Sequence, residues 1–432
     1  MKITIMNAYT WYNKGDAGIL MGHLNEINAV VDKPEIHILS FTPEVDYSRY
    51  SKLPNVKSVK TNLLNPYPFK KTKIGKLIAI SKLAFISVYQ MIMFFLFRGL
   101  FINNHASLKT LKDSDLIIVC GGGFLGGNKF NSLIHLHQIF LATFLKRKVV
   151  LWGTSVEPPT NKIIKKITET VLKRLDYVYP REDVTVKYFQ TFLNKDKFAF
   201  TPDLAFMVPK QSSPLVDEIF SRLPQDKTLI GLTVRKWHFP KSADKEAAAA
   251  KYKESVVTLI RRISQEKNAS FVFIPQVIFD GDDDRIIANE IKAMLPDKVK
   301  ESFIILTEDL SPSEIKELIS RFYIFVGTRM HSNIFATGAE IPTVAIAYEK
   351  KTNGIMQMLD LNPYVVNIED ITPTNIVEMV HHCLRSRERL HEHLGRKIPQ
   401  IQSLIRNKSA FLGEITNEDH HFVAQRANQL ST

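Results

Sequence analysis

Short apolar runs of strand length alternate with amphipathic stretches of helical spacing along most of the chain, an order that restricts it to βαβ units built on parallel sheets. The first run, 3–9, leads into the turn Asn13-Lys14-Gly15-Asp16 and a helical stretch over 17–30. Further strands are predicted at 36–41, 116–120, 149–153 and 177–179, enough for one doubly wound domain. The Pro- and Ser-containing segment 208–214 then breaks the pattern and reads as a linker. A second series follows, with strands at 228–234, 271–275, 303–306, 323–326 and 343–347. A chain of 432 residues exceeds what one core usually supports. We therefore expect an α/β fold of two doubly wound domains, 1–208 and 215–374, followed by a helical tail, 375–432.

One helix start is well marked. In Ser311-Pro312-Ser313-Glu314, the serine can cap, the proline suits the first helical position, and the glutamate can close a capping box. The tail carries His381, His382, His391 and His393 among charged neighbours, which suits a solvated helix better than a metal cluster.

Charge narrows the partners. The 57 basic residues exceed the 44 acidic ones by 13, which favours an anionic partner: nucleic acid, anionic lipid or a phosphorylated metabolite. Cys120 and Cys383 form no CxxC pair, and a reducing, cytoplasmic setting is expected. The N-terminus reads as a strand, not an export leader. The segment 83–97 is strongly apolar, and Lys70, Lys71, Lys73 and Lys76 stand just before it. At less than the ~20 residues of a membrane span, it reads either as a buried helix of the first domain or as an interfacial helix drawn to anionic lipid at the inner face of the cell membrane.

Unusual residues recur directly after predicted strands, the edge where open parallel sheets bind ligands. Asn13, Gly15 and Asp16 follow the first strand, and Gly121, Gly122 and Gly123 follow 116–120. Arg235 follows 228–234, and Gln276 follows 271–275. After 323–326 comes Gly327-Thr328-Arg329-Met330-His331-Ser332, with a helix expected to open at Ser332 or Asn333. A helix N-terminus favours anions. Arg329 can grip a carboxylate or phosphate through two parallel hydrogen bonds, and His331 can exchange a proton near neutral pH. Tyr348, Glu349, Lys350 and Lys351 end the last strand and add cations to that edge.

Plainer alternatives stand beside each of these. Arg329 could form a structural ion pair and His331 a helix cap. The glycine run does not complete a dinucleotide fingerprint and fits a tight strand-to-helix turn. Asp282-Asp283-Asp284 suits a solvated helix start better than a metal site, so no metal is expected. Asp203 can orient the region between the domains or close a turn.

Taken together, Asn13-Lys14-Gly15-Asp16, Gly121 to Gly123, Pro202-Asp203 and the block from Gly327 through Arg329, His331, Pro342, Tyr348, Lys351 and Gly354 resemble the polysaccharide pyruvyl transferase family, over about 1–361. The resemblance implies a GT-B-like pair of Rossmann-like domains facing a cleft, and transfer of the enolpyruvyl group of phosphoenolpyruvate to a sugar of a cell-surface polysaccharide or its lipid-linked precursor. That transfer forms a ketal and releases phosphate without a cofactor or metal. It implies that Arg235, Arg329 and His331 hold phosphoenolpyruvate, with His331 as proton donor or phosphate ligand. Asp16 and the early glycines would face the saccharide acceptor. Asn13, Gly15, Gly122, Gly123, Gln276, Met330, Tyr348 and Lys351 complete the expected substrate contacts.

The main rival is a sugar-nucleotide glycosyltransferase of the same architecture, with Arg329 and Lys350 or Lys351 on a diphosphate and Glu340 or Glu349 on a ribose. A noncatalytic membrane-surface or nucleic-acid binder is the third reading. Interleaved basic and aromatic residues approach that pattern only at 67–76, beside a segment better suited to lipid, so nucleic acid is not expected.

Overall fold

The protein, seen in a computed structural model, is described over residues 1–67, 73–279 and 281–413. Lys70, Lys71 and the end of the expected tail, 414–432, lie outside the described residues. Two compact units emerge. The first comprises Met1–Trp11, His23–Leu204 and the described residues from Leu404; the second comprises Tyr12–Gly22 and Ala205–Ser403. The expected domain limits are linear in sequence, whereas these units are not: residues 12–22 cluster with the second unit, and the tail is shared.

In the first unit the strands are β1 (Lys2–Ala8), β2 (Glu35–Ser40), β3 (Val56–Thr61), β4 (Leu116–Val119), β5 (Gly122–Gly126), β6 (Lys148–Glu157) and β7 (Tyr177–Pro180). They form a parallel sheet in the order β3-β2-β1-β4-β6-β5, with β7 also on β6. All four residues of β4 are buried, as expected of a strand covered on both faces. β3 escapes sequence detection because it is an edge strand, VKSVKT, with most positions open to solvent.

The glycine run departs from expectation. It enters β5 and does not turn into a helix, which begins only at Phe130. Gly121 is required by a close backbone approach, since a Cβ there would lie 2.6 Å from the Trp152 carbonyl oxygen at the centre of β6.

In the second unit the strands are β8 (Thr228–Thr233), β9 (Ala269–Phe273), β10 (Ile278–Phe279), β11 (Asp282–Asp283), β12 (Phe303–Ile305), β13 (Ile324–Gly327), β14 (Thr343–Ala347) and β15 (Val365–Asn367). Six of them form a parallel sheet, β12-β9-β8-β13-β14-β15, while β10 and β11 make a small antiparallel hairpin. Counted within the sheet, that order is the 3-2-1-4-5-6 of a Rossmann domain, with the topological switch between β8 and β13. The capping box at Ser311 and Glu314 is formed, with Pro312 in the first turn of Pro312–Ser320. The tail histidines are anchored to this unit: His381 pairs with Glu266 at 2.8 Å, His382 stacks on Tyr364, and His391 and His393 bond the Glu340 and Leu359 carbonyls.

The apolar segment 83–97 falls within a longer helix, Lys73–Leu96. It is not a buried domain helix, because only 11% of its most apolar stretch is covered by protein.

Candidate active site

The second unit brings residues from five separate stretches to the carboxyl edge of its sheet. Thr233 ends β8, and its hydroxyl receives the Thr328 amide at 3.0 Å and lies 2.9 Å from the Ser332 hydroxyl. The Thr328 hydroxyl in turn donates to the Thr233 carbonyl at 2.9 Å. These bonds pin the turn after β13 to the end of β8, which is the switch point of the sheet. The helix there opens at Met330, earlier than expected, so Arg329 takes the cap position and His331 sits in the first turn. A bond from the Ser332 hydroxyl to the Arg329 carbonyl, 2.6 Å, closes that turn.

Arg329 is buried, and its guanidinium grips Asp284 through Nε at 3.2 Å and through an Nη at 2.5 Å. The same Nη reaches Asp282 at 3.2 Å. Burial works against the charged guanidinium, but Asp284 and Asp282 outweigh it and raise the arginine above its ordinary value. Asp284 also accepts the amides of Gln276 and Val277, at 3.2 and 3.1 Å. The ion-pair alternative for Arg329 is thus realised. Asp282 and Asp284 serve the arginine, and Asp283 caps the helix Asp284–Met294, so the acidic run is not simply a solvated helix start. Among the described residues no cluster of His, Cys, Asp or Glu is arranged to hold a metal.

The start of the first helix, Lys14–Val30, joins the same edge. The Lys14 amide donates to the Gln276 carbonyl at 2.8 Å, and the Ile278 amide donates to the Tyr12 carbonyl at 3.0 Å. The buried ammonium of Lys14 pairs with Asp309. Asn13 donates to Asp16 at 2.6 Å and accepts the Gly15 amide at 3.2 Å. Gly15 is closely covered by His331: a Cβ would overlap Nδ1 and lie 2.6 Å from Cγ. Asp16 and His331, distant in sequence, therefore stand on adjoining turns of one site.

Arg235, half-buried after β8, lies 4.3 Å over the Tyr348 ring and 5.4 Å from the Trp237 ring. Tyr348 interacts electrostatically with both Arg235 and Arg329. Burial raises its pKa, and Arg235 opposes the shift. Tyr252, buried beneath Thr328, is pushed up to about 12 by desolvation.

The remaining expected contacts fall out unevenly. Met330 is buried, and Lys351 is half-buried in the helix Lys350–Met358. Gln276 contributes its backbone, while its side chain is buried. Gly122 and Gly123 belong to the first unit, as does Asp203, whose buried carboxylate pairs with Arg181 at 2.5 Å. Glu340 precedes β14 and Glu349 follows it, so five strand residues, roughly 17 Å, separate them and they cannot form a joint site. A cavity lined by Lys210, Arg321 and Glu340 opens at the amino-terminal edge of the sheet, opposite the switch point. Sequence reading missed Lys14, Trp237, Tyr252, Asp284 and Asp309. Lys14, inside the turn Asn13 to Asp16, Trp237, two residues after Arg235, and Asp284, in the acidic run, carried a visible signal.

Fold and edge geometry together define a GT-B-like protein with two Rossmann-like domains. Its backbone is similar to the UDP-bound MnaA of S. aureus, with a TM-score of 0.56 at 11% identity, covering 98% of this chain and 97% of that one. The UDP-GlcNAc 2-epimerase of Neisseria meningitidis is similar at a TM-score of 0.55 and 12% identity, covering 97% of this chain and all (100%) of that one. At such identities the likeness concerns the fold. The chain belongs to the polysaccharide pyruvyl transferase family, whose pattern it matches over residues 13–350, from Asn13 to Lys350. A relative, the amylovoran biosynthesis protein AmsJ of Erwinia amylovora, is 24% identical over 417 residues, covering 94% of this chain and 97% of that protein.

Proposed function

We propose that this enzyme transfers the enolpyruvyl group of phosphoenolpyruvate to a saccharide destined for a cell-surface polymer, in the cytoplasm, and closes a pyruvate ketal with release of phosphate. The observation that carries this reading is the gathering of Arg235, Tyr348, Arg329, His331 and Asp16 at one switch point. Membership of the family and the exopolysaccharide relative support the saccharide acceptor.

The division of labour follows from the charges. Arg329 is already neutralised by two carboxylates, so it acts chiefly as a rigid donor that fixes the turn carrying His331. Arg235 lies on two aromatic rings with part of its surface open, and it binds the carboxylate or phosphate of the donor. His331 gives a proton to the methylene carbon, and the carbon it leaves electron-poor is attacked by a sugar hydroxyl. Asp16 accepts that hydroxyl's proton. Phosphate then departs with its bridging oxygen, and a second hydroxyl adds to the same carbon, closing the ketal. Its proton is shed as His331 is reprotonated. Asn13, Gly15, Gln276, Met330 and Lys351, all in the second unit, frame the donor.

The test is release of inorganic phosphate from phosphoenolpyruvate in the presence of saccharide acceptors, against release of nucleoside diphosphate from sugar nucleotides. Phosphate release that falls at least a hundredfold in His331→Ala is expected. Nucleoside diphosphate release with none from phosphoenolpyruvate would overturn the reading.

A further inference from the structure

We infer that the helix Lys73–Leu96 is a docking surface for an anionic bilayer, lying in the headgroup region with its axis along the membrane. This does not depend on the donor chemistry above. The exposed face carries Ile74, Ile78, Phe85, Val88, Ile92 and Leu96 at helical spacing, with Phe85 73% and Leu96 69% exposed. The opposite stripe packs on protein: Gln90 bonds His137 at 2.9 Å, and the buried Phe94 meets Phe144 with ring centroids 6.4 Å apart. A helix apolar all round normally lies buried, and an open stripe of this length has a large free energy to gain from lipid.

Charge selects the occupant. Between Asp46 and Asp113 the sequence contains no acidic residue, while Arg49, Arg98 and ten lysines fall in the same interval. That single stretch holds 12 of the basic residues in a chain whose net charge is +13. Lys76 and Lys82, both exposed, stand on the helix itself off its apolar face, and add to the positive field that draws anionic headgroups. A second copy of the chain would bring the same cations together and be repelled.

The helix is long and apolar enough to cross a membrane, but connectivity argues against a crossing. The described chain before the helix ends at Tyr67, whose hydroxyl lies 3.1 Å from His135, and the chain after it puts Arg98 against the Phe144 carbonyl. His135 belongs to the helix Phe130–Ala142, and Phe144 follows that helix directly. A helix of this length spans roughly 35 Å, and a crossing would carry one end away from a core in which His135, Leu136 and Gln138 are buried.

The experiment is vesicle flotation of the full chain, with vesicles of phosphatidylcholine alone and vesicles containing phosphatidylglycerol. The protein should float with the anionic vesicles and be released by high salt. The double variant Phe85→Glu/Ile92→Glu should lower the bound fraction at least tenfold with an unchanged thermal midpoint. Lys76→Glu/Lys82→Glu, which leaves the apolar stripe intact, should do so by a smaller factor. Three results would overturn the inference: no flotation with either vesicle, a dimer in solution that Phe85→Glu/Ile92→Glu splits, or retention in membranes after both high-salt and alkaline washes.

Discussion

The imidazole of His331 rests on the bare Cα of Gly15, with no room for even a methyl group between them. Two ends of the family's matched region thus meet at a single contact, and the position of the imidazole depends on a residue with no side chain. Gly15→Ala should displace the ring and lower turnover by about a hundredfold, the size of effect a misplacement near 1 Å can have, with the fold retained. Gly354→Ala, where a Cβ meets nothing within 4 Å, is the matched control and should stay near wild type in phosphate release.

Asp284 and Arg329 form a buried pair whose members are costly only when separated. Asp284→Ala leaves the guanidinium uncompensated and should destabilise the protein by about 3–5 kcal/mol in urea unfolding. Replacing both, as Asp284→Leu/Arg329→Met, should recover most of that stability. Turnover should stay low in the double variant, because the turn carrying His331 loses its anchor.

Arg235 presents the opposite case. Half-buried over Tyr348 and Trp237, it adds at most about 1 kcal/mol to stability, so Arg235→Ala should shift the thermal midpoint little. The KM for phosphoenolpyruvate should rise at least tenfold, with Arg235→Lys intermediate because an ammonium lacks the planar fork.

Acid sensitivity should trace to buried histidines of the first unit. Burial lowers both His23 and His135 to about 3, so the folded protein keeps them neutral while the unfolded chain protonates them near 6.5. The unfolded state binds the extra protons between these values, and stability falls as the pH drops from 6.5 toward 3. Phe41, Tyr67 and Phe124 surround His135. His135→Phe should reduce the pH slope of unfolding free energy by about one proton, about 1.4 kcal/mol per pH unit. Asp46 has the reverse sign. Burial raises it to about 6, its proton is retained longer by the folded state, and Asp46→Asn should steepen the loss.

Much of the site was legible because its residues follow strands. Arg235, Arg329 and His331 were placed by counting from the ends of apolar runs, and the structure sets all three beside one switch point. Asp284 was misjudged because a carboxylate at a helix start looks the same in sequence whether it faces water or a buried guanidinium. Lys14 was given no site role for a similar reason: its partner Asp309 lies 295 residues away along the chain. The helix Lys73–Leu96 shows the converse, since apolar composition cannot say whether protein or solvent covers a face.

From sequence alone came the alternation of strand and helix, the capping box at Ser311 and the family's motif residues, all of which rest on periodicity or chemistry within a few positions. Tertiary structure decided the strand order that puts β8 beside β13, the pairing of Arg329 with Asp284, and the burial of Gly15 under His331. The reason is physical. Local spacing selects a backbone conformation, whereas neighbours across a sheet and partners for a buried charge are set by the packing of the whole unit, where desolvation makes each unmatched group costly.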